Sequence, residues 1–200
     1  MFQMRFHGRG GQGVVTAAEM ISVAAFIEGK HAQAFPSFGS ERMGAPVVSF
    51  CRISERKIRL RDPVFEADAL VIQDPTLLQS SDIFKGLKDE GYVLINSSRE
   101  AVDLGIKHVV EKMPRGHVLT VPATDLALKH IGRPLPNTAM LGGLAAITGI
   151  VRMDSIARAI GETFAGAVGQ ANTAAATEAY AYVAGKQRAF NPVYREAIAC

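Results

Sequence analysis

Near the amino terminus, His7-Gly8-Arg9-Gly10-Gly11-Gln12-Gly13 sets an arginine and a glutamine among glycines whose positions 8, 10 and 13 satisfy G-x-G-x-x-G. Glycine tolerates positive φ and lets a ligand or a second backbone come close, and the free N–H groups of a helix starting there attract an anion. A dinucleotide site of this type also needs an acidic residue about 20 positions on, at the end of the second strand, to hold the ribose hydroxyls. None stands there: that strand is expected to end in Pro36-Ser37-Phe38-Gly39, while Glu28 falls at a helix end before Gly29. The turn therefore reads as a dinucleotide site, a structural tight turn, a receptor for another phosphate-bearing ligand, or a subunit contact.

Other chemistry is sparse. No serine sits in a G-x-S-x-G elbow and no histidine pair has zinc spacing. Of the five histidines only His7 lies beside the glycine turn, and a structural role is favoured over a catalytic one. Cys51 and Cys200 are the only cysteines, too few for a cubane cluster, which takes about four thiolates. The loop Phe35 to Pro46 sets Glu41 beside Arg42, and strand ends at Asp74-Pro75-Thr76 and Asn96-Ser97-Ser98 bring polar groups to the edge where open α/β sheets take ligands. Asp74 is read as the cap of a following turn or as a group facing a ligand.

These residues need a scaffold. An apolar run at Met4-Arg5-Phe6, a helix over 14–28 and a strand over 30–35 form an opening β-α-β, which favours a parallel pair with a right-handed crossover. Val47 to Ile53 and Ile58 to Leu60 read as a hairpin, making the sheet mixed. Further strands are expected at 69–73, 92–96, 108–111 and 117–121, and helices at 81–90, from Pro122, from Asn137 as cap, and from Asp154 as cap, then an alanine-rich helix ending near Gly185. The fold class is α/β: a three-layer Rossmann-like domain with a mixed sheet, an N-terminal βαβ unit and C-terminal helices, over 1–185, with 186–200 as a tail. A content of 48% hydrophobic and 20% charged residues suits one core. The net charge of +3 is scattered, which argues against nucleic acid, and the lack of a leader or long apolar run predicts a soluble, cytoplasmic chain without a membrane.

Five motifs in order resemble one family: Arg5 to Gly13, Gln33 to Arg42, Gly44-Ala45-Pro46-Val47, Gln73-Asp74-Pro75-Thr76-Leu77-Leu78 and Pro136 to Gly142 are similar to the gamma subunit of 2-oxoacid:ferredoxin oxidoreductases, nearest the pyruvate branch. The resemblance implies a complex that cleaves a 2-oxoacid with thiamine diphosphate and magnesium, passes electrons through [4Fe-4S] clusters to ferredoxin and delivers the acyl group to coenzyme A. It implies alpha, beta and ferredoxin-like delta partners that hold those cofactors, with none bound by this chain alone and no catalytic residue or metal site in it. The implied ligand-contacting set is Gly8, Arg9, Gly10, Gly11, Gln12, Gly13, Ser37, Phe38, Gly39, Glu41, Arg42, Asn137 and Thr138, with Arg9 or Arg42 meeting coenzyme A phosphates; alternatively both loops bind only neighbouring subunits. Pyruvate leads as substrate, with 2-oxoisovalerate, phenylglyoxylate and 2-oxoglutarate as alternatives within the family. A free-standing nucleotide-binding protein of Rossmann type is the runner-up outside it.

Overall fold

Alternation in the first strand sets the architecture. In β1 (Phe2–Arg9), Met4 and Phe6 are fully buried against helices, so the odd-numbered Arg5, His7 and Arg9 project to the opposite face. The computed structural model describes residues 1–37, 43–79 and 82–190. After Gly13, α1 (Val14–Ile27) buries Val14, Ala17, Ala18, Met20, Ile21, Ala24 and Ala25, the many-sided burial its apolar sequence predicts. The strands β2 (His31–Pro36), β3 (Pro46–Ser54), β4 (Ala67–Ile72), β5 (Leu87–Asn96) and β6 (Val118–Val121) complete a six-stranded sheet of order β2-β3-β1-β4-β5-β6. Only β3 runs against its neighbours, so the carboxyl ends of the other five strands share one edge.

One face of the sheet is covered by α1 with α3 (Ala123–Ile131), α4 (Asn137–Thr148), α5 (Met153–Thr163) and α6 (Gly166–Phe190). Against the other lies a thinner layer of connecting segments and the short α2 (Lys107–Lys112), which buries Phe50, Val64, Leu70, Ile72, Val93 and Ile95. The three layers, the mixed sheet and the C-terminal helices match the sequence expectation.

Several local expectations are corrected. β1 and β2 are parallel and joined by α1, but they do not pair; β3 fills the gap between them. Ile58 to Leu60 form no strand, because both edges of β3 are already occupied by β1 and β2, and the sheet is mixed for that reason rather than through a hairpin there. No helix spans 82–90: Gly86 has φ +73° and sits where a Cβ would overlap the Phe65 carbonyl oxygen, and β5 already begins at Leu87. Residues 108–111 are helical, since Ile106, Val109 and Met113 are buried at spacings of three and four, the period of α2.

Asn137 is the first residue of α4 and makes no capping bond, because Pro136 already has helical dihedrals. Asp154 likewise lies inside α5, whose cap position is Arg152. Here the carboxylate of Glu28, at the end of α1, accepts from the Arg152 N–H at 2.7 Å and from Lys30 Nζ at 3.1 Å. Burial would raise that carboxyl, but the Arg152 N–H, the Ser155 hydroxyl and Lys30 hold it below its ordinary value. Glu28 thus ties α1 to α5, far from a ribose-binding position. Residues 186–190 continue α6 rather than opening the tail.

Candidate functional site

At the carboxyl edge the glycine turn closes on itself before it meets anything else. Gln12 Oε1 accepts from the Arg9 N–H at 2.7 Å, and the Gln12 N–H donates to the Arg9 carbonyl at 3.0 Å. Gly8 is buried where a Cβ would come within 2.6 Å of Val14 and 2.9 Å of Gln12 Oε1. Gly11 and Gly13 have φ of +94° and +70°, so both need glycine. A side chain at Gly13 would also meet Asn137 Nδ2 at 2.5 Å, so the start of α4 packs directly on the start of α1.

The turn is then clasped to two other strand ends. Arg9 donates from Nε to Asp74 Oδ2 at 3.1 Å, from Nη2 to Thr76 Oγ1 at 2.8 Å and from Nη1 to the Gly44 carbonyl at 3.0 Å. Gln12 Nε2 reaches the same Asp74 oxygen at 3.1 Å. Gly10 bonds to Ala45 and receives Gly44, so residues 43–45 lie beside the turn as a single parallel bridge, Gly10 against Met43. Asp74 does cap the following turn, accepting from the Thr76 N–H at 2.9 Å and its hydroxyl at 2.6 Å, and it also anchors Arg9. Burial raises its carboxyl, but Thr76, Gln12 and Arg9 together hold it below the usual carboxylate range.

Of the predicted site residues, Gly8 to Gly13 and Asn137 are brought together. Thr138 turns instead to α6, donating to Asn172 Oδ1 at 2.9 Å. Ser37 is exposed just past β2, its N–H bonded to Val48. Phe38, Gly39, Glu41 and Arg42 lie outside the described residues. Asp74, Thr76 and Gly44 complete the clasp and were not in the predicted set, although their motifs were; the signal was the polar strand end Asp74-Pro75-Thr76. One step along the sheet, Asn96 Nδ2 donates to the Gln73 carbonyl and to Thr124 Oγ1, and its Oδ1 accepts from the Thr124 N–H, tying the end of β5 to the start of α3.

His7 takes no part in the clasp. It pairs in register with Val48 and Ile72, which belong to the thinner layer, and its Nε2 is buried without a partner. Burial, with Arg5 nearby, pushes its pKa down to about 4, so the imidazole is neutral. Cys51 is buried inside the core, where burial pushes its thiol up. Among the described residues no cluster of three His, Cys, Asp or Glu could hold a metal, and no helix is long and apolar enough to cross a membrane.

Fold and site together define an α/β chain of Rossmann-like class whose sheet carries a glycine turn clasped by an Arg–Asp pair at its carboxyl edge. The model of the pyruvate ferredoxin/flavodoxin oxidoreductase family matches residues 3–182. The chain is 48% identical over 180 residues to the pyruvate/ketoisovalerate oxidoreductases common subunit gamma of Pyrococcus furiosus, covering 90% of this chain and 96% of that one. It is equally 48% identical over 180 residues, with the same coverage of 90% and 96%, to the pyruvate synthase subunit PorC of Methanocaldococcus jannaschii. The crystal structure of the pyruvate oxidoreductase subunit PORC of Thermotoga maritima superposes with a TM-score of 0.75 at 38% identity, over 90% of this chain and 95% of that one. This chain belongs to the pyruvate ferredoxin/flavodoxin oxidoreductase family, and it is of that family's gamma type.

Proposed function

We propose that the chain serves as the gamma subunit of a coenzyme A-acylating 2-oxoacid:ferredoxin oxidoreductase acting on pyruvate, in a complex with alpha, beta and ferredoxin-like delta subunits. The observation that carries this is the clasp: Arg9, Gln12, Asp74 and the backbone of residues 43–45, from three of the motifs, meet at one edge in a chain whose named relatives act in pyruvate oxidoreductases. The donor set does not fit an iron–sulfur cluster here, since the one described cysteine is buried with its thiol pKa raised. We assign the clusters and the thiamine diphosphate to the partner subunits, where oxidative decarboxylation of the 2-oxoacid would supply the acyl group to coenzyme A and the electrons to ferredoxin.

In this reading the edge closes over coenzyme A at the junction of subunits. Arg9 is held by Asp74, Thr76 and Gly44, so its role is to position the 43–45 segment. That leaves the α1 N–H groups beyond Gly13 and Arg42, the other arginine of the implied ligand-contacting set, as the candidate receptors for phosphate. The test is the purified complex, assayed for thiamine-dependent pyruvate oxidation with a viologen acceptor. Arg42→Ala should raise the KM for coenzyme A about tenfold or more with subunit composition unchanged. An unchanged KM in an intact complex would leave the loops as subunit contacts only.

A second reading follows from the name of the Pyrococcus relative, a subunit common to two oxidoreductases. If this chain is shared in the same way, a tagged copy recovers two sets of alpha and beta chains, one preferring pyruvate and one 2-oxoisovalerate. Recovery of one set with one preferred oxoacid supports the dedicated subunit.

A further inference from the structure

At the opposite, amino-terminal edge of the parallel strands lies a cleft of about 360 Å³, between β5, the turn before β6 and the end of α6. That volume falls within the usual small-ligand range of about 300–1,000 Å³. Tyr92, His117 and Tyr180 contribute rings, Arg115 and Arg188 contribute guanidiniums, and Gln187 closes one side. Gly116, at φ +80°, makes the turn that sets Arg115 and His117 on the same cleft. The Tyr92 and His117 rings stack with centroids 4.2 Å apart and planes 22° from parallel. His117 Nδ1 lies 3.1 Å from the Gly91 carbonyl, which can only accept, so Nδ1 is the donor of this bond. Gln187 donates its amide to the Ile147 carbonyl at 3.0 Å.

No lining residue is acidic, and among the described residues neither Arg115 nor Arg188 has an acidic partner. Both guanidiniums are exposed and hydrated; an apolar ligand would make no use of their charge, and a bare anion would leave the aromatic wall unused. A planar base joined to phosphate answers both, through stacking and charge-assisted hydrogen bonds.

We propose that this cleft is a nucleotide-binding site, with the base against Tyr92, His117 and Tyr180 and the phosphates on Arg115 and Arg188. It is separate from the glycine-turn edge and does not depend on the function proposed for that edge.

Calorimetric titration of the purified complex with ADP, adenosine and inorganic phosphate tests it. ADP should bind, adenosine and phosphate each about tenfold or more weakly. Arg115→Ala and Arg188→Ala, both at exposed positions, should each weaken ADP about tenfold and leave adenosine unchanged. Absence of ADP binding overturns the proposal, as does ADP binding that survives the Arg115→Ala/Arg188→Ala double variant, which would put the nucleotide at another site of the complex. Binding that appears only when the chain is cut after Phe190 would give the cleft to residues 191–200 and equally overturn it.

Discussion

Asp74 accepts four hydrogen bonds, from Arg9 Nε, Gln12 Nε2 and the N–H and hydroxyl of Thr76. Removing it takes the acceptor from Arg9 Nε and Gln12 Nε2 at once and leaves Arg9 only its bonds to Thr76 and Gly44. Asp74→Ala should lower stability by about 2 kcal/mol, read as a shift in denaturant midpoint, and should speed amide exchange at Gly10 and Gly44. Its depressed carboxyl contributes stability that is complete above the unfolded aspartate value, about 3.9, and is lost as pH falls through the lower native value. His7 acts over a different window. Because its native pKa lies at about 4 against 6.5 unfolded, the unfolded chain takes up the proton first, so stability declines as pH falls from 6.5 towards 4. The decline attributable to His7 is roughly 2–3 kcal/mol. His7→Phe should flatten that segment of the stability–pH curve; a slope equal to that of the parent chain would remove His7 as its origin.

Small residues decide how the elements meet. A Cβ on Gly142 would overlap the Ala176 carbonyl oxygen, because α4 and α6 cross with backbone against backbone; a Cβ on Gly161, at an exposed position of α5, meets nothing within 4 Å. Gly142→Ala should therefore destabilise by about 2–3 kcal/mol despite the helix-propensity gain, whereas Gly161→Ala should stabilise by up to about 1 kcal/mol. Equal midpoints for the two variants would contradict the close crossing. Such local signals also explain what could be read in advance. The glycine turn was legible because positive φ and a following helix are local features, and α1 because its apolar run has only one polar line. Segment 107–112 misled because Val109 and Val110 favour strands as residues, while the spacing Ile106, Val109, Met113 that fixes the helix spans more chain than the apolar run itself. The polar strand end at Asp74 was legible, but its pairing with Arg9 was not: the partners are 65 positions apart and meet only through the parallel register of β1 with β4. The same non-locality hid the insertion of β3 between β1 and β2.

For the whole molecule, the two faces of the sheet are unequally protected. On one side α4 buries ten of its residues, from Asn137 to Ile147, beneath α6 and against β5, within the large cluster that also holds α1 and α5. On the other, Ala101, Ile106, Val109 and Met113 supply most of the cover contributed by 97–117, through a short 3₁₀ turn and α2. Isolated helices this short hold no structure of their own, so this cover persists only through those few apolar anchors. Sub-global opening should begin there: in native-state hydrogen exchange at low denaturant, amides of residues 101–113 should exchange with a smaller opening free energy than those of α1, α4 and the centre of β4. Val109→Ala should lower the opening energy of 101–113 by about 1–2 kcal/mol while leaving α4 set by global unfolding. If 101–113 and α4 instead exchange at one common free energy, the thin layer is an integral part of a single cooperative unit. The clasp at Arg9 and Asp74 would then feel every change made on that face, because Asp74 leaves β4 beside Ile72, which the thin layer buries.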